Sequence, residues 1–341
     1  MSPGINIIMG DNAQGKTNFM EAVYFCALGR PLRADNSREL IPHGGQKAWV
    51  QAVFCRHSEM TVDARVELHG GKYVKSLTVD RVPIKNTRDL FGKVPVVSFS
   101  PEDLRLIKAG PTERRRFMDI EICQLSPVYY HELREYYRTL RQRNHLLKAL
   151  QKDKSQLDSL SIWDEQLAAH GVRVMKTRAA YIKKINLLAQ DIHKSITQGA
   201  EELNVEYRPG ITDPEAYIIT LEKYQTRDII LGSTSAGVHR DDVYFMVRGV
   251  SARSFGSQGQ QRTAALSVKL AEIALIKEQK KMPPILLLDD VFSELDAHRQ
   301  RFLLAQIKDV QTLITCTGIE SLPVGELGDY RMITMKNGKI M

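Results

Sequence analysis

The chain has 341 residues, of which 43% are hydrophobic and 26% charged, and a formal net charge of +8 at pH 7. That length supports one large domain or two ordinary ones around a full hydrophobic core, and the composition is that of an ordinary soluble protein with a mild preference for an anionic partner. Cys26, Cys55, Cys123 and Cys316 show no paired or metal-ligand spacing; no apolar run approaches the ~18 residues of a membrane span and no secretory leader opens the chain, so a cytoplasmic protein with reduced thiols and no membrane partner is expected.

Gly4-Ile5-Asn6-Ile7-Ile8-Met9 reads as a buried strand. It runs into Gly10, Asp11, Asn12, Ala13, Gln14, Gly15, Lys16 and Thr17, a complete G-x-x-x-x-G-K-[ST] phosphate loop. Glycines let such a loop curl its backbone N–H groups toward an anion, and the N-terminus of the next helix adds partial positive charge at the same spot. The stretch from Thr17 to Leu28 supplies that helix and Gly29 closes it. These loop residues are expected to cradle the phosphates of ATP, with Lys16 reaching the β and γ phosphates and the Thr17 hydroxyl ligating Mg²⁺.

Three alternating runs follow: Ala48-Val50-Ala52-Phe54, Met60-Val62-Ala64-Val66-Leu68 and Val74-Leu77-Val79, the last two separated by Gly70-Gly71. They predict an antiparallel sheet flanking the nucleotide core. Val94 to Phe99 is a further strand, and Ser100-Pro101-Glu102-Asp103 reads as a cap opening a short helix.

From about residue 110 the pattern turns helical. Gly110-Pro111-Thr112-Glu113 opens a helix bearing Arg114, Arg115 and Arg116, and Ser126-Pro127 caps the next. That second helix places Tyr129, Leu133, Tyr136, Leu140, Leu147 and Leu150 at coiled-coil spacing, interrupted by Arg143-Asn144. Another carries Leu160, Leu167, Val174, Tyr181 and Leu188 at intervals of seven, with 152–156 as the link. The pattern predicts an antiparallel helical arm, with helices of roughly 30 residues and about 45 Å. The arm, 110–228, would be inserted into a head made of 1–109 and 229–341.

Charge on the arm is uneven. Arg134, Arg138, Arg141, Arg143, Lys148, Lys152 and Lys154 face only Glu135 and Asp153, while Arg173, Lys176, Arg178, Lys183, Lys184 and Lys194 face Asp191 alone. Either a solvated helix face or a surface tracking nucleic-acid phosphates gives this pattern.

Ser254 to Arg262 then precede a helix from Thr263 to about Lys281. Ser257, Gly259 and Gln260 offer hydroxyl, N–H and amide donors to an anion; a polar loop with an ordinary N-cap is the alternative. Pro283-Pro284 starts an apolar strand that ends in Asp289 and Asp290. Asp289 falls where ligands sit in open α/β sheets and is expected to carry Mg²⁺. Asp290 is the candidate general base for the attacking water, with a helix N-cap or solvated turn residue as its other reading.

The order of these parts is that of an ABC-type P-loop ATPase head, an α/β fold with a flanking antiparallel sheet and an inserted coiled-coil-like arm. Together with Ser98 to Leu104, Arg114 to Asp119, Gly237 to Asp242, Ser257 to Thr263 and Leu288 to Asp296, it resembles the RecF family of the SMC and Rad50 group over almost the whole chain. The resemblance implies that Ser257, Gly259 and Gln260 form the ABC signature and act in trans. ATP would be sandwiched between Lys16 of one subunit and Ser257 of its partner, driving homodimerisation, with Ser293 to Asp296 as the D-loop at that interface. It further implies binding to junctions of double- and single-stranded DNA, work with RecR, and indirectly RecO, in loading RecA at gaps, and slow ATP hydrolysis that resets the clamp. The arm then favours the phosphate-tracking reading.

Three departures qualify the pattern. The family opens with a further strand and turn ahead of Ser2-Pro3-Gly4, so either the start is misassigned or truncated, or one sheet edge and its adenine contacts are expected to be missing. Asp290 stands where the ABC base is usually Glu, which predicts slow turnover. Thr315-Cys316-Thr317 stands where many ABC heads carry a switch histidine, leaving His239 as a sensor or a structural residue. Among rival ABC roles, a transporter subunit is disfavoured by the basic arm and the signature, an SMC-like cohesion protein by the short arm, and a nuclease fusion by the absence of an acidic cluster after Asp296.

Overall fold

The computed structural model describes residues 1–33, 37–42, 44–55 and 58–341. The chain begins with β1 (Ile5–Met9), α1 (Lys16–Leu28), β2 (Lys47–Cys55), β3 (Glu59–His69), β4 (Lys72–Val79), β5 (Val82–Ile84) and β6 (Val96–Phe99). Next come α2 (Arg105–Lys108), α3 (Pro111–Leu125), α4 (Pro127–Leu150), α5 (Leu160–Ile196), β7 (Leu203–Arg208), α6 (Tyr217–Lys223) and α7 (Gln225–Leu231). The remainder is β8 (Asp242–Val247), β9 (Val250–Ser251), α8 (Ala252–Phe255), α9 (Gln258–Lys280), β10 (Ile285–Asp289), α10 (Ala297–Ile307), β11 (Thr312–Cys316), β12 (Tyr330–Lys336) and β13 (Lys339–Ile340). Two compact units result: Met1–Asp103 with Ile276–Met341, and Leu104–Leu275.

The first unit holds a six-stranded sheet in the order β13-β12-β1-β11-β10-β6, parallel except for β13. All five residues of β10 and of β11 are buried, which explains why these segments read as unbroken apolar runs rather than alternating ones. β1 is interior, with Met9 opposite Cys316 of β11 on one side and Thr334 of β12 on the other. Asp289 of β10 lies opposite Thr315 of β11. The C-terminal ends of β1, β10 and β11 therefore converge, the position at which such sheets bind ligands.

The same unit contains the expected antiparallel sheet, β2-β3-β4-β5. Val62, Ala64, Val66, Leu77 and Val79 point to one face and pack against Phe25 and Cys26 of α1. Burial pushes the Cys26 thiol up to about 12, so it stays protonated and behaves as a small apolar side chain. The tight turn at Gly70 and Gly71 uses φ values of 54° and 78°, which glycine adopts without strain.

In the second unit α4 and α5 pack along one another. Leu146, Leu147 and Leu150 meet Leu160 at one end, while Tyr129 reaches Arg178 at the other, so the pair is an antiparallel hairpin. Leu160, Leu167 and Val174 are wholly buried and Tyr181 nearly so, but Ala189 rather than Leu188 continues the buried stripe. An α-helix drifts by about 20° per heptad against a strict seven-residue repeat, so over four heptads the inward face moves to the neighbouring residue. β7, β8 and β9 add a three-stranded antiparallel sheet to this unit.

Two of the arm's arginines are not surface charges. Arg143, 0% exposed, directs Nε at Asp164 Oδ1 (2.5 Å) and Nη1 at Asp228 Oδ2 (2.7 Å) and Thr234 Oγ1 (2.8 Å). Arg178, also 0% exposed, donates to both oxygens of Asp119 (2.8 and 3.0 Å), to Asp241 Oδ2 (2.6 Å) and to the Val238 carbonyl (2.6 Å). A charge leaves water only when paired and hydrogen-bonded, and these two are. Arg114 follows the same rule, gripping Asp242 through Nε and Nη2 at 2.6 and 2.8 Å. The polar break in the α4 seam is thus a filled position. Arg143→Ala, which strands Asp164 and Asp228, is expected to lower unfolding stability by about 3–5 kcal/mol in urea melts followed by circular dichroism, whereas Lys148→Ala stays within about 0.5 kcal/mol of the parent.

Candidate nucleotide site

β1 delivers the chain to Gly10, where an added Cβ would lie 2.4 Å from the Met335 carbonyl oxygen of β12. Only glycine fits that approach. The loop then turns through left-handed backbone at Ala13 (φ 62°) and Gly15 (φ 96°) before α1 begins at Lys16. It is anchored from the β12–β13 turn: Asn337 N–H donates to Gln14 Oε1 (2.6 Å) and Gly338 N–H to the Gln14 carbonyl (3.0 Å). Lys16 is 5% exposed, and its ammonium donates to the Gly10 and Asp11 carbonyls at 2.7 and 3.0 Å. The first amides of a helix have no acceptor within it, so the loop presents donors and a held cation together.

Thr17, in the first turn of α1, directs Oγ1 at Asp289 Oδ1, 3.3 Å away across 272 residues of sequence. Asp289 is 2% exposed and also accepts from Thr315 Oγ1 (2.6 Å) and Arg33 Nη2 (2.6 Å). Arg33 is placed by Glu21, whose carboxylate accepts the backbone N–H groups of Leu32 (2.6 Å) and Arg33 (3.4 Å). Burial raises the Glu21 pKa against the pull of those amides. Nothing in the sequence marked Arg33 or Glu21, because both act through the return of the chain after α1. Thr315 was visible only as the residue beside Cys316.

Asp290 adopts φ 53°, an uncommon backbone for a residue other than glycine that Asp tolerates better than most. Its N–H is held by Thr315 Oγ1 at 3.0 Å, and its carbonyl accepts from Ser293 Oγ at 2.7 Å. It caps no helix: Val291 precedes the short turn Phe292–Glu294, and Asp296 caps α10 by accepting from the Arg299 N–H at 2.9 Å. Burial raises the Asp290 pKa; Lys16 and Arg33 pull it down, and Asp289 pushes it further up. Cys316 beside it is driven up to about 11 by burial and by Asp290. The half-buried Thr17 hydroxyl and one carboxylate suit Mg²⁺, which keeps waters and takes its remaining ligands from phosphates. Among the described residues no group of three or more His, Cys, Asp or Glu forms an all-protein metal site.

Ser257, Gly259 and Gln260 lie in the second unit at the start of α9, which begins at Gln258, five residues earlier than Thr263. Ser257 and Gln260 form a reciprocal capping box: Ser257 N–H donates to Gln260 Oε1 (2.9 Å) and Gln260 N–H to Ser257 Oγ (3.2 Å). The Gly259 carbonyl accepts from Thr263 Oγ1 at 2.7 Å.

His239 has both ring nitrogens engaged within the second unit. Its Nε2 donates to the Thr234 carbonyl (3.0 Å) and Nδ1 accepts from the Tyr136 hydroxyl (2.7 Å), while burial lowers its pKa from 6.5 to about 4. The unfolded chain therefore binds one proton more between those two values, so this contribution to stability is complete above pH ~6.5 and lost as pH falls toward 4. Thermal melts should show the parent losing up to about 3 kcal/mol more than His239→Gln between pH 7 and pH 4.

Residues 1–323 match the model of the RecF/RecN/SMC N terminal domain, so the chain is an ABC-type ATPase of that class. It belongs to the RecF family: it is 46% identical over 340 residues to the DNA replication and repair protein RecF of Lachnoclostridium phytofermentans, spanning 99% of this chain and 93% of that protein. A solved structure of the recombination mediator protein RecF-ATP in the RecFOR pathway superposes with a TM-score of 0.90 at 32% identity, covering 100% of this chain and 92% of that one. The Smc head domain of Pyrococcus furiosus shares the fold, with a TM-score of 0.54 at 16% identity over 100% and 90% of the two chains. No helix among the described residues is long and apolar enough to cross a membrane.

Proposed function

We propose that this chain binds ATP and Mg²⁺ at the end of β1, dimerises on DNA when ATP is bound, and hydrolyses ATP slowly to release the DNA. The observation that carries this reading is the meeting of Thr17 and Asp289 beside a buried Lys16. Residues 10–17 would hold the phosphates, Lys16 would exchange its loop carbonyls for phosphate oxygens, and Thr17 with Asp289 would hold Mg²⁺. The metal would supply neutralisation of phosphate charge. Asp290 would accept the proton of the attacking water, its raised pKa making it a better base than an ordinary aspartate. Ser257, Gly259 and Gln260 would complete the partner's site, with 1–109 and 229–341 acting as the head and 110–228 as the DNA-contacting arm. The RecF-ATP relative supports the nucleotide, and its RecFOR pathway supports RecR and RecO as partners; loading of RecA at single-stranded gaps would be the task they share.

Lys16→Ala should lose both ATP binding and ATP-dependent dimerisation in fluorescent-nucleotide titrations and light scattering. Asp290→Asn should keep both while single-turnover hydrolysis slows about a hundredfold. The parent rate should fall as pH drops through a pKa higher than that of an ordinary aspartate, and that acid limb should vanish in the variant. Retained dimerisation in Lys16→Ala would refute the phosphate-loop assignment.

DNA contact is proposed through the exposed basic residues of the arm, Arg138, Arg141 and Lys148 on α4 and Lys176, Lys183 and Lys184 on α5, with the buried Arg143 and Arg178 excluded. Reversing Arg138, Arg141 and Lys148 together is expected to weaken binding to a gapped duplex and to reduce the slope of log K against log salt by about 0.9 for each phosphate that is no longer neutralised. Fluorescence anisotropy across a salt series reads both; an unchanged slope removes α4 from the DNA surface.

A further inference from the structure

Gln260 does more than close its own helix cap. Its Oε1 accepts the Ser257 N–H, and its Nε2 donates to Glu201 Oε1 at 2.8 Å. A glutamate at this position would close the capping box equally well, since the box asks only for an acceptor. It would also set a carboxylate against that of Glu201. The amide is the one side chain of this length that serves both partners, accepting from Ser257 and donating to Glu201.

Glu201 is itself held from several sides. It lies between the end of α5 and the start of β7, with its Oε2 3.8 Å from Nε2 of the fully buried His193 in the last turn of α5. Its Oε1 is 3.8 Å from Nε of Arg248, in the β8–β9 turn. Arg248 also donates to the Ala200 carbonyl (3.1 Å), and its backbone N–H to the Glu202 carbonyl (2.9 Å), which fixes the residues on either side of Glu201. His193 Nδ1 lies 3.1 Å from Ser267 Oγ, two turns and more along α9. Glu201 thus has a fixed position relative to the body of α9, and it directs one oxygen at the side chain that orients Ser257.

We propose that Glu201 is a positioning residue: through the Gln260 amide it sets the orientation of the exposed Ser257 at the start of α9. The inference rests on the trans role of Ser257 given above, and assigns the contact that holds that serine ready for the partner's nucleotide. Glu201 touches neither nucleotide nor metal; its effect is on the ATP-dependent dimer.

Exchanging the two groups tests it. In Gln260→Glu the capping box survives but two carboxylates meet, and ATP-dependent dimerisation measured by light scattering should weaken about tenfold. Glu201→Gln keeps an acceptor oxygen and should change dimerisation by less than about threefold. The double variant, Glu201→Gln with Gln260→Glu, restores an amide donor opposite a carboxylate and should return dimerisation to near the parent level. ATP binding by the monomer, read with a fluorescent nucleotide, should be unaffected in Glu201→Gln, and melting temperatures identify any variant that fails to fold. A double variant no better than Gln260→Glu overturns the proposal, as does a Gln260→Glu variant that dimerises like the parent. Ser257→Arg separates the two readings: dimerisation that survives it removes the trans signature and this inference with it. Dimerisation abolished in Ser257→Arg, without rescue in the double variant, removes only the role of Glu201.

Discussion

The candidate site of the first unit is arranged around one buried carboxylate. Asp289, 2% exposed, is tolerated out of water because three donors reach it from three parts of the chain: Thr17 from α1, Thr315 from β11 and Arg33 from the segment after α1. The same contacts fix α1 against the sheet and keep the carboxylate aimed. They require Asp289 to lie opposite Thr315, and a slip of one residue between β10 and β11 would turn that side chain to the other face. Sheet register and site chemistry are therefore one constraint. Thr315 serves it twice, its hydroxyl donating to Asp289 and accepting from the backbone of Asp290.

The helical unit follows the same logic with the opposite sign of charge at its centre. Arg114, Arg143 and Arg178 are buried cations, the first paired with one carboxylate and the others with two, all from other elements of the chain. Asp241 collects Arg178, Tyr207 and the Gly210 N–H, so the turn before β8, the start of the loop after β7 and the middle of α5 share one ion. The net positive charge of the chain is thus divided between cations that build the interior and cations left on the surface, and only the latter can meet an anionic partner.

Much of this was legible in the sequence because local pattern dictates it. The phosphate loop, the alternating runs of β2 to β4, the Pro111 and Ser126 helix starts and the carboxylates at the end of β10 all follow from spacing and turn chemistry within short windows. The features that escaped are those set by distant partners. Arg143 and Arg138 look alike in sequence, and what separates them is Asp228, 85 residues away from Arg143. Arg33 finds Asp289 across 256 residues. β7 alternates Leu203, Val205 and Tyr207 but is only six residues long, and its partner β8 lies beyond two helices, so no hairpin announces the pair. The Ser257–Gln260 box is a local pattern, whereas the contact of Gln260 with Glu201 spans 59 residues and only the fold reveals it.

The arginine at the middle of the α4 seam has a mechanical consequence. A purely apolar seam between two helices can shift by one turn, since one leucine replaces another at little cost. Arg143 forbids that, because moving α4 along α5 by a turn, about 5.4 Å, would pull it from Asp164 and Asp228 at once and leave three ions unpaired in a dry interior. The hairpin is consequently a lever rather than a ratchet: whatever strain reaches its tip must be carried to its base as a swing or twist of both helices together.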